Sequence, residues 1–415
     1  MRSKRFAQAI GWSALLLGLC LTVMPKAVGR DRYKILHAFT GRKDGGLPSF
    51  NLALDEKGNL YGVTNKGGTG TACNGGCGTV FELTHRDNGQ WGEQVVHNFA
   101  TRREGEGPNS GVVLDGEGNL YGVALANGTS AVFEMVPGIH EWNYNLIFNQ
   151  GSQYGLLPDA AGNLYGYIGP GKYGDGAVSR LEHDYNDWTL KTLYSFCNQY
   201  SCPDGDGPLA PPSWDAAGNL YGTTYSGGNG PPKCLASLGC GVAFQMTPNH
   251  DGSWTYHVIH RFANFKTDGQ YPYGGLTVDS KGNVYGTTTE GGKFGNGTVF
   301  EFTPTTGGHW KQAVLYDFPN IYLGGGPANN LVFDHAGNLY GTAGGGNLSC
   351  PQTCGVIFKL TPQAGGKWKY TLVRKFDGTD GDGPNGLTMD GAGNLYGTTE
   401  YGGQYNYGVA FEIKP

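Results

Sequence analysis

Beyond its first 29 residues, this 415-residue chain has no apolar run approaching the roughly 20 residues that span a bilayer. It has no block of like charge either: 29 Lys and Arg stand against 34 Asp and Glu, a formal net charge of −5. That balance argues against a nucleic-acid polyanion as partner. No amphipathic helical periodicity appears after the amino-terminal segment, which leaves strands and turns to build the fold. Nucleophile elbow, phosphate loop and metalloprotease motifs are all missing.

What is abundant is turn-forming and aromatic. Gly (74) and Pro (21) far exceed the average of about 12% of residues. The 25 Tyr, 19 Phe and 8 Trp argue against disorder. One stretch organises the rest: Asp55-x-x-Gly58-Asn59-Leu60-Tyr61-Gly62, which occurs seven times, with only Val284 replacing Leu. The other copies begin at Asp115, Asp159, Asp215, Asp279, Asp334 and Asp390. Each follows a short apolar run. The Asp side chain can accept hydrogen bonds from backbone N–H groups beyond it, and the Gly supplies the left-handed conformation of a tight hairpin. Seven carboxylates could also be read as catalytic or metal-binding; the turn chemistry favours caps.

Around each copy lie four strand-like pieces: the apolar run, the Asn-Leu-Tyr-Gly strand, an alternating strand such as Val80-Phe81-Glu82-Leu83, and a piece that begins with Trp and ends with Phe. The last kind covers 91–99, 142–148, 188–196, 254–262, 310–318 and 368–376. A four-stranded unit repeated every 44 to 64 residues marks a β-propeller. Seven copies of the first three strands meet only six of the fourth, because the last unit ends at Pro415. The segment 33–39 has the missing pattern, with Tyr33 in the Trp place. The expected fold is therefore all-β, a seven-bladed β-propeller of four-stranded blades closed by strand 33–39, one domain over residues 30–415. Closure removes two sheet edges that would otherwise pair with other chains.

Residues 1–29 have the form of an export signal: basic Arg2, Lys4 and Arg5, an apolar core from Ala14 to Val23, and Ala27-x-Gly29 as cleavage site. An uncleaved anchor is the alternative. Setting Cys20 aside, eight cysteines fall into four close pairs: Cys73/Cys77, Cys197/Cys202, Cys234/Cys240 and Cys350/Cys354. In an exported chain they read as disulfides. Zinc would need pairs from different repeats to meet, and no His recurs beside them.

The pattern Asp-x-x-Gly-Asn-Leu-Tyr-Gly-Thr-Thr, then Gly-Gly, then Gly-x-Val-Phe-Glu-Leu-Thr-Pro resembles the GloVer tandem repeat of bacterial exported proteins, with a hairpin similar to that of NHL-type propellers. The resemblance spans about residues 33–415. It implies an exported repeat protein of unassigned biochemical role, often with a carboxy-terminal surface anchor. No anchor pattern precedes Pro415, so periplasmic or free extracellular residence is expected. The third repeat departs, since Ala177-Val178-Ser179-Arg180-Leu181 lacks the Phe-Glu pair.

If strands run outward from the axis, the loops from fourth to first strand and from second to third share one face, together with all four Cys pairs. That face is the candidate recognition surface. It carries the candidate loop acids Glu104, Glu106, Asp204, Asp206, Asp380 and Asp382, beside Asp44 and Asp268. Asp-x-Asp with Gly can wrap Ca²⁺, although no loop supplies a full ligand series, and turn chemistry accounts for the same residues. No other cofactor is expected. The innermost strands, such as 48–54 and 327–333, contain no Asp, Glu, His, Lys or Arg, which disfavours acid–base catalysis along the channel. His97 and His260 lie in fourth strands, at the outside. The expected function is a binding or interaction module for an extracellular protein or glycan, with no nucleic acid and no membrane insertion once the signal is removed. An enzyme acting on an extracellular glycan or other polymer, or a purely structural secreted protein, are the alternatives. A cluster of His, Arg and carboxylates over the channel mouth would favour the enzyme; exposed aromatics without one would favour the binder.

Overall fold

The computed structural model describes residues 32–86, 88–101, 105, 107–149, 152–184, 187–229, 234, 239–263, 265–320, 325–344, 350 and 354–415. The export segment 1–29 and the candidate acids Glu104 and Glu106 lie outside these residues. The chain forms seven four-stranded antiparallel blades. Blades 1 to 6 occupy 46–98, 113–148, 152–195, 213–261, 277–317 and 332–375, each with its strands in chain order. Blade 7 takes three strands from 382–414 and its fourth, outermost strand from Arg32–Ala38.

The hairpin chemistry repeats in every blade. In blade 1 the Asp55 carboxylate accepts the N–H groups of Lys57 and Asn59 at 2.9 and 2.8 Å, and Asn59 Nδ2 donates to it at 2.9 Å. Gly58 holds φ at 85°, and the chain turns back. The seven aspartates are therefore caps. Each also anchors its blade inward, because the motif tyrosine hydroxyl donates to the same carboxylate, as Tyr61 does to Asp55 at 3.2 Å. The motif glycine serves packing: a Cβ on Gly62 would stand 2.4 Å from the Phe81 ring. Blade 3 lacks that Phe; Ser179 takes its place and donates to the Ile168 carbonyl.

The core is divided among seven seams, one between each pair of neighbouring blades. Six seams carry an edge-to-face pair between the motif Tyr of one blade and the outer-strand Trp of the next, from Tyr61–Trp142 to Tyr396–Trp91, at 5.9 to 6.2 Å. Such pairs contribute about 0.5–1.5 kcal/mol beyond burial. Blade 7 meets blade 1 through Phe39, Leu52, Phe81 and Ala410, so the ring is closed.

The register corrects one expectation. Tyr33 pairs with Ile413, as Tyr256 pairs with Met246, whereas Trp254 pairs with Pro248. Tyr33 therefore stands two residues inside the tryptophan place, which falls to residue 31, outside the described residues. Phe148 is offset likewise: it pairs with Val132, the place His260 holds opposite Ala243. Both expectations aligned aromatics by type, and hydrogen-bond register follows the backbone instead. The innermost strands are also shorter than expected. In blades 2, 4, 5 and 6 the continuous inner strand is only two residues long, with isolated bridges such as Pro108 to Ala124 and Asp206 to Ser226 before it.

The loop face and the axial cavity

Both loop sets do share a face, and backbone bonds zip them together. Gly68 N–H donates to the Arg42 carbonyl at 2.6 Å, and Gly228 to Cys202, Gly292 to Asp268 and Gly403 to Gly378 repeat the link in blades 4, 5 and 7. Disulfides join Cys73 to Cys77, Cys197 to Cys202, Cys234 to Cys240 and Cys350 to Cys354. Each closes a small loop on this face. The four bonds fit an oxidising environment. Among the described residues no helix is long and apolar enough to cross a membrane.

The loop acids point inward. Asp204, Asp268, Asp380 and Asp382 are buried. Asp204 accepts the Tyr194 hydroxyl at 2.7 Å, Asp44 and Asp268 accept His37 and His260 at 3.0 and 2.8 Å, and Asp380 receives the Arg374 guanidinium. Asp206 accepts the Ser226 hydroxyl at 2.8 Å. His37, Tyr194, His260 and Arg374 each stand two residues before the terminal Phe of an outer strand. That position is a recurring clasp for the loop that follows, and the sequence reasoning missed it. The signal was present: a polar or aromatic residue at Phe −2, then an acid six to ten residues on. His97 is the same position in blade 1. It stacks on Tyr144 at 4.3 Å, and burial lowers its pKa to about 4, so it is neutral. The acids that follow it at the same sequence spacing, Glu104 and Glu106, lie outside the described residues.

For calcium the consequence is direct. The described acids do not converge on one point; the groups close enough to share an ion are Asp175 with Cys197 and Cys202, and Asp382 with Cys350 and Cys354. Their sulfurs are disulfide-bonded and offer no thiolate.

At the axis lies a cavity of about 190 Å³. Phe50, Asn51, Gly111, Gly155, Pro211, Tyr273, Asn329 and Asn330 from six blades line it, and among the described residues no Asp, Glu, His, Lys or Arg does. In blades 1 and 3 the lining residues Phe50, Asn51 and Gly155 fall in the stretch where the register of the inner strand shifts. Phe50 and Tyr271, next but one to Tyr273, hold left-handed backbones with φ of 65° and 57°. Such conformations in bulky residues cost about 1–3 kcal/mol and gather at functional sites.

The loop face also exposes aromatic rings: Tyr173, Phe294, Tyr405 and Tyr407 between second and third strands and Tyr200 and Phe265 in the loops entering blades 4 and 5, while the exposed Tyr273 lines the cavity. Lys172 and Lys293 stand over the Tyr173 and Phe294 rings at 5.3 and 5.2 Å. Among the described residues no cluster of His, Arg and free carboxylate converges on the mouth.

Residues 125–346 and 235–415 match the family described as the Gloeobacter/Verrucomicrobia repeat. No curated protein matches the chain. Among solved structures, a protein from Lactobacillus plantarum is 14% identical, covering 77% of this chain and 84% of its own, with a TM-score of 0.51. A PQQ-bound aldose sugar dehydrogenase from Streptomyces coelicolor is 12% identical over 92% of this chain and 98% of its own, with a TM-score of 0.43. A luciferin-regenerating enzyme is 14% identical over 72% and 87%, with a TM-score of 0.44. The first likeness shows the fold; the other two carry no argument about chemistry.

Proposed function

The chain belongs to the Gloeobacter/Verrucomicrobia repeat family, and from that premise we propose that it is an exported binding module whose loop face holds an extracytoplasmic glycan or protein. One observation carries this reading. Exposed Tyr and Phe rings stand on the loop face, and the described lining of the axial cavity carries no charged side chain, while the described acids Asp204, Asp206, Asp268 and Asp380 of the same loops are turned to Tyr, Ser, His and Arg partners. Acid–base catalysis needs a titratable group within reach of substrate, and Asp44, Asp204, Asp206, Asp268 and Asp380 are each engaged by a partner within the protein. Aromatic rings offer large contact area at low entropic cost, as binding surfaces require. Export through segment 1–29 and residence in the periplasm or outside the cell belong to the same proposal.

The test is a screen of the mature protein against a glycan array and extracytoplasmic proteins, with Tyr173→Ser, Phe294→Ser and Tyr405→Ser combined as the face variant. Retention of a ligand that the folded variant loses by tenfold or more is the expected result. Equal retention by the variant refutes the loop face as the site. Shortened products from a retained glycan would mean catalysis instead.

A further inference from the structure

We propose that the axial cavity is a site for one neutral sugar ring. This rests on the binding reading above and names its ligand class. The wall is asymmetric around the ring. Blades 6 and 1 bring Asn329, Asn330, Phe50 and Asn51 to the cavity, whereas blades 2 to 5 bring Ser110, Gly111, Gly155, Ala210, Pro211 and Gly274 to it, with Tyr273 beside them. The small residues make the space and the amides face it.

The amides are pre-set. Asn330 Oδ1 accepts the Gly275 N–H at 2.7 Å, and Asn329 Nδ2 donates to Thr342 Oγ1 at 2.9 Å. That leaves an NH₂ edge on Asn330 and a carbonyl edge on Asn329. The Asn51 amide has no hydrogen bond among the described residues. It lies against Gly386, where a Cβ would come within 1.6 Å of Asn51 Oδ1, so only glycine in blade 7 admits it. Asn51 thus offers both a donor and an acceptor.

The chemistry selects the occupant. Phosphate, carboxylate or amine would enter a site with no counter-charge and lose its hydration. A purely apolar ligand would leave the amides unpaired. A pyranose has hydroxyls that donate and accept around its edge and an apolar face that packs on a ring such as Phe50 or Tyr273. The volume of about 190 Å³ is below the ~300–1,000 Å³ of drug-sized pockets, which suits one ring rather than a chain. The left-handed Phe50 holds its ring in this wall at a local cost.

The experiment is calorimetry and saturation-transfer NMR on the full chain. The probes are D-glucose, D-galactose, D-mannose and N-acetylglucosamine, with glucuronic acid and glucosamine as charged controls. The expected result is binding of at least one neutral sugar, weakened tenfold or more in Asn51→Ala and in Tyr273→Ala, and changed less than twofold in Ile139→Ala, an exposed residue between the third and fourth strands of blade 2. Charged analogues should bind at least tenfold more weakly. Near-UV circular dichroism verifies folding, and the two cavity variants sit in different blades, so one misfolded protein leaves the other as the test. No neutral sugar bound by the wild type, or binding indifferent to both cavity variants, overturns the inference. If array ligands are still held through the loop face, only the cavity assignment falls; if they are not, the binding reading falls with it.

Discussion

Glu93→Gln should stabilise this protein, and only above mildly acidic pH. Glu93 stands in the outer strand of blade 1 opposite Leu83, the place Gln312 holds opposite Phe302 in blade 5. Gln312 Nε2 donates to the clasped Asp268 at 2.6 Å. Glu93 faces the equivalent acid, Asp44, with a carboxyl of its own, and its buried Oε1 has no partner. Burial, then the Asp44 charge, pushes its pKa up from 4.5 to about 7. Below pH 4.5 the group is protonated in both folded and unfolded chains and costs nothing. As pH rises from 4.5 to about 7 the unfolded chain ionises first, so the fold loses stability, and the loss is complete above 7. At about 1.4 kcal/mol per tenfold change in proton affinity, the full gap is worth at most roughly 3 kcal/mol, and relaxation around the site brings the expectation to about 2. Glutamine removes the ionisation and supplies the donor that Gln312 uses. Urea unfolding of both proteins at pH 4 and pH 8 should show no difference at the first and about 2 kcal/mol in favour of the variant at the second. His37 also titrates in this clasp, but it is common to both proteins and drops out of the comparison. A variant less stable at pH 8, or an equal offset at both pH values, refutes the pairing of Glu93 with Asp44.

The other expectations concern closure, the hairpins and the staples. Phe39→Ala removes a fully buried ring from the seam between blades 7 and 1 and should cost about 3–5 kcal/mol in urea unfolding, far more than any exposed loop-face variant. Gly286→Ala places a methyl 2.6 Å from the Phe300 ring and should cost about 1–3 kcal/mol by overpacking, read as a lowered melting temperature. Reduction of the disulfides should lower stability by about 2 kcal/mol per bond in the chain-entropy model, so melting with and without reductant checks their role. An unchanged melting temperature would mean that the loops are held by their zipped backbones alone.

The blade count, the strand order, the closing strand and the common face of the loops were legible because repetition makes them redundant. A turn misread in one copy is corrected by six others. Register was legible only where the repeat is strict. Tyr33 and Phe148 look like the Trp and Phe of other blades and sit two residues away from those places, since pairing is fixed by the partner strand and not by ring type. The acids were harder still. Asp204 and Asp380 have the residue type and spacing of ligands, and their partners Tyr194 and Arg374 become visible only when the residue two before the terminal Phe is compared across several outer strands. The inner strands were known to lack charge. That Asn51, Asn330 and Tyr273, from blades 1, 6 and 5, meet at one cavity depends on closing the ring, which no local pattern contains.

Repetition also separates stability from recognition. A residue present in all seven blades, such as the motif Asp or Tyr, generates seven equivalent environments pointing at seven seams, and its polar atoms are satisfied within its own blade or the next. A single ligand at the axis cannot be matched by sevenfold-repeated groups, because it lacks their symmetry. Specificity must therefore come from positions where the blades differ. The levels one and two residues above the inner-strand core are such positions: Asn, Gly, Gly, Pro, Gly, Asn and Gly around the ring at the first. Conformational strain follows the same division. Left-handed glycines recur in the repeated turns, where they cost little, while left-handed non-glycine residues are scattered through the loops, with Phe50 in the cavity wall. Substitutions at the cavity-lining positions where the blades differ should therefore alter binding with little effect on unfolding, the reverse of substitutions in the seams.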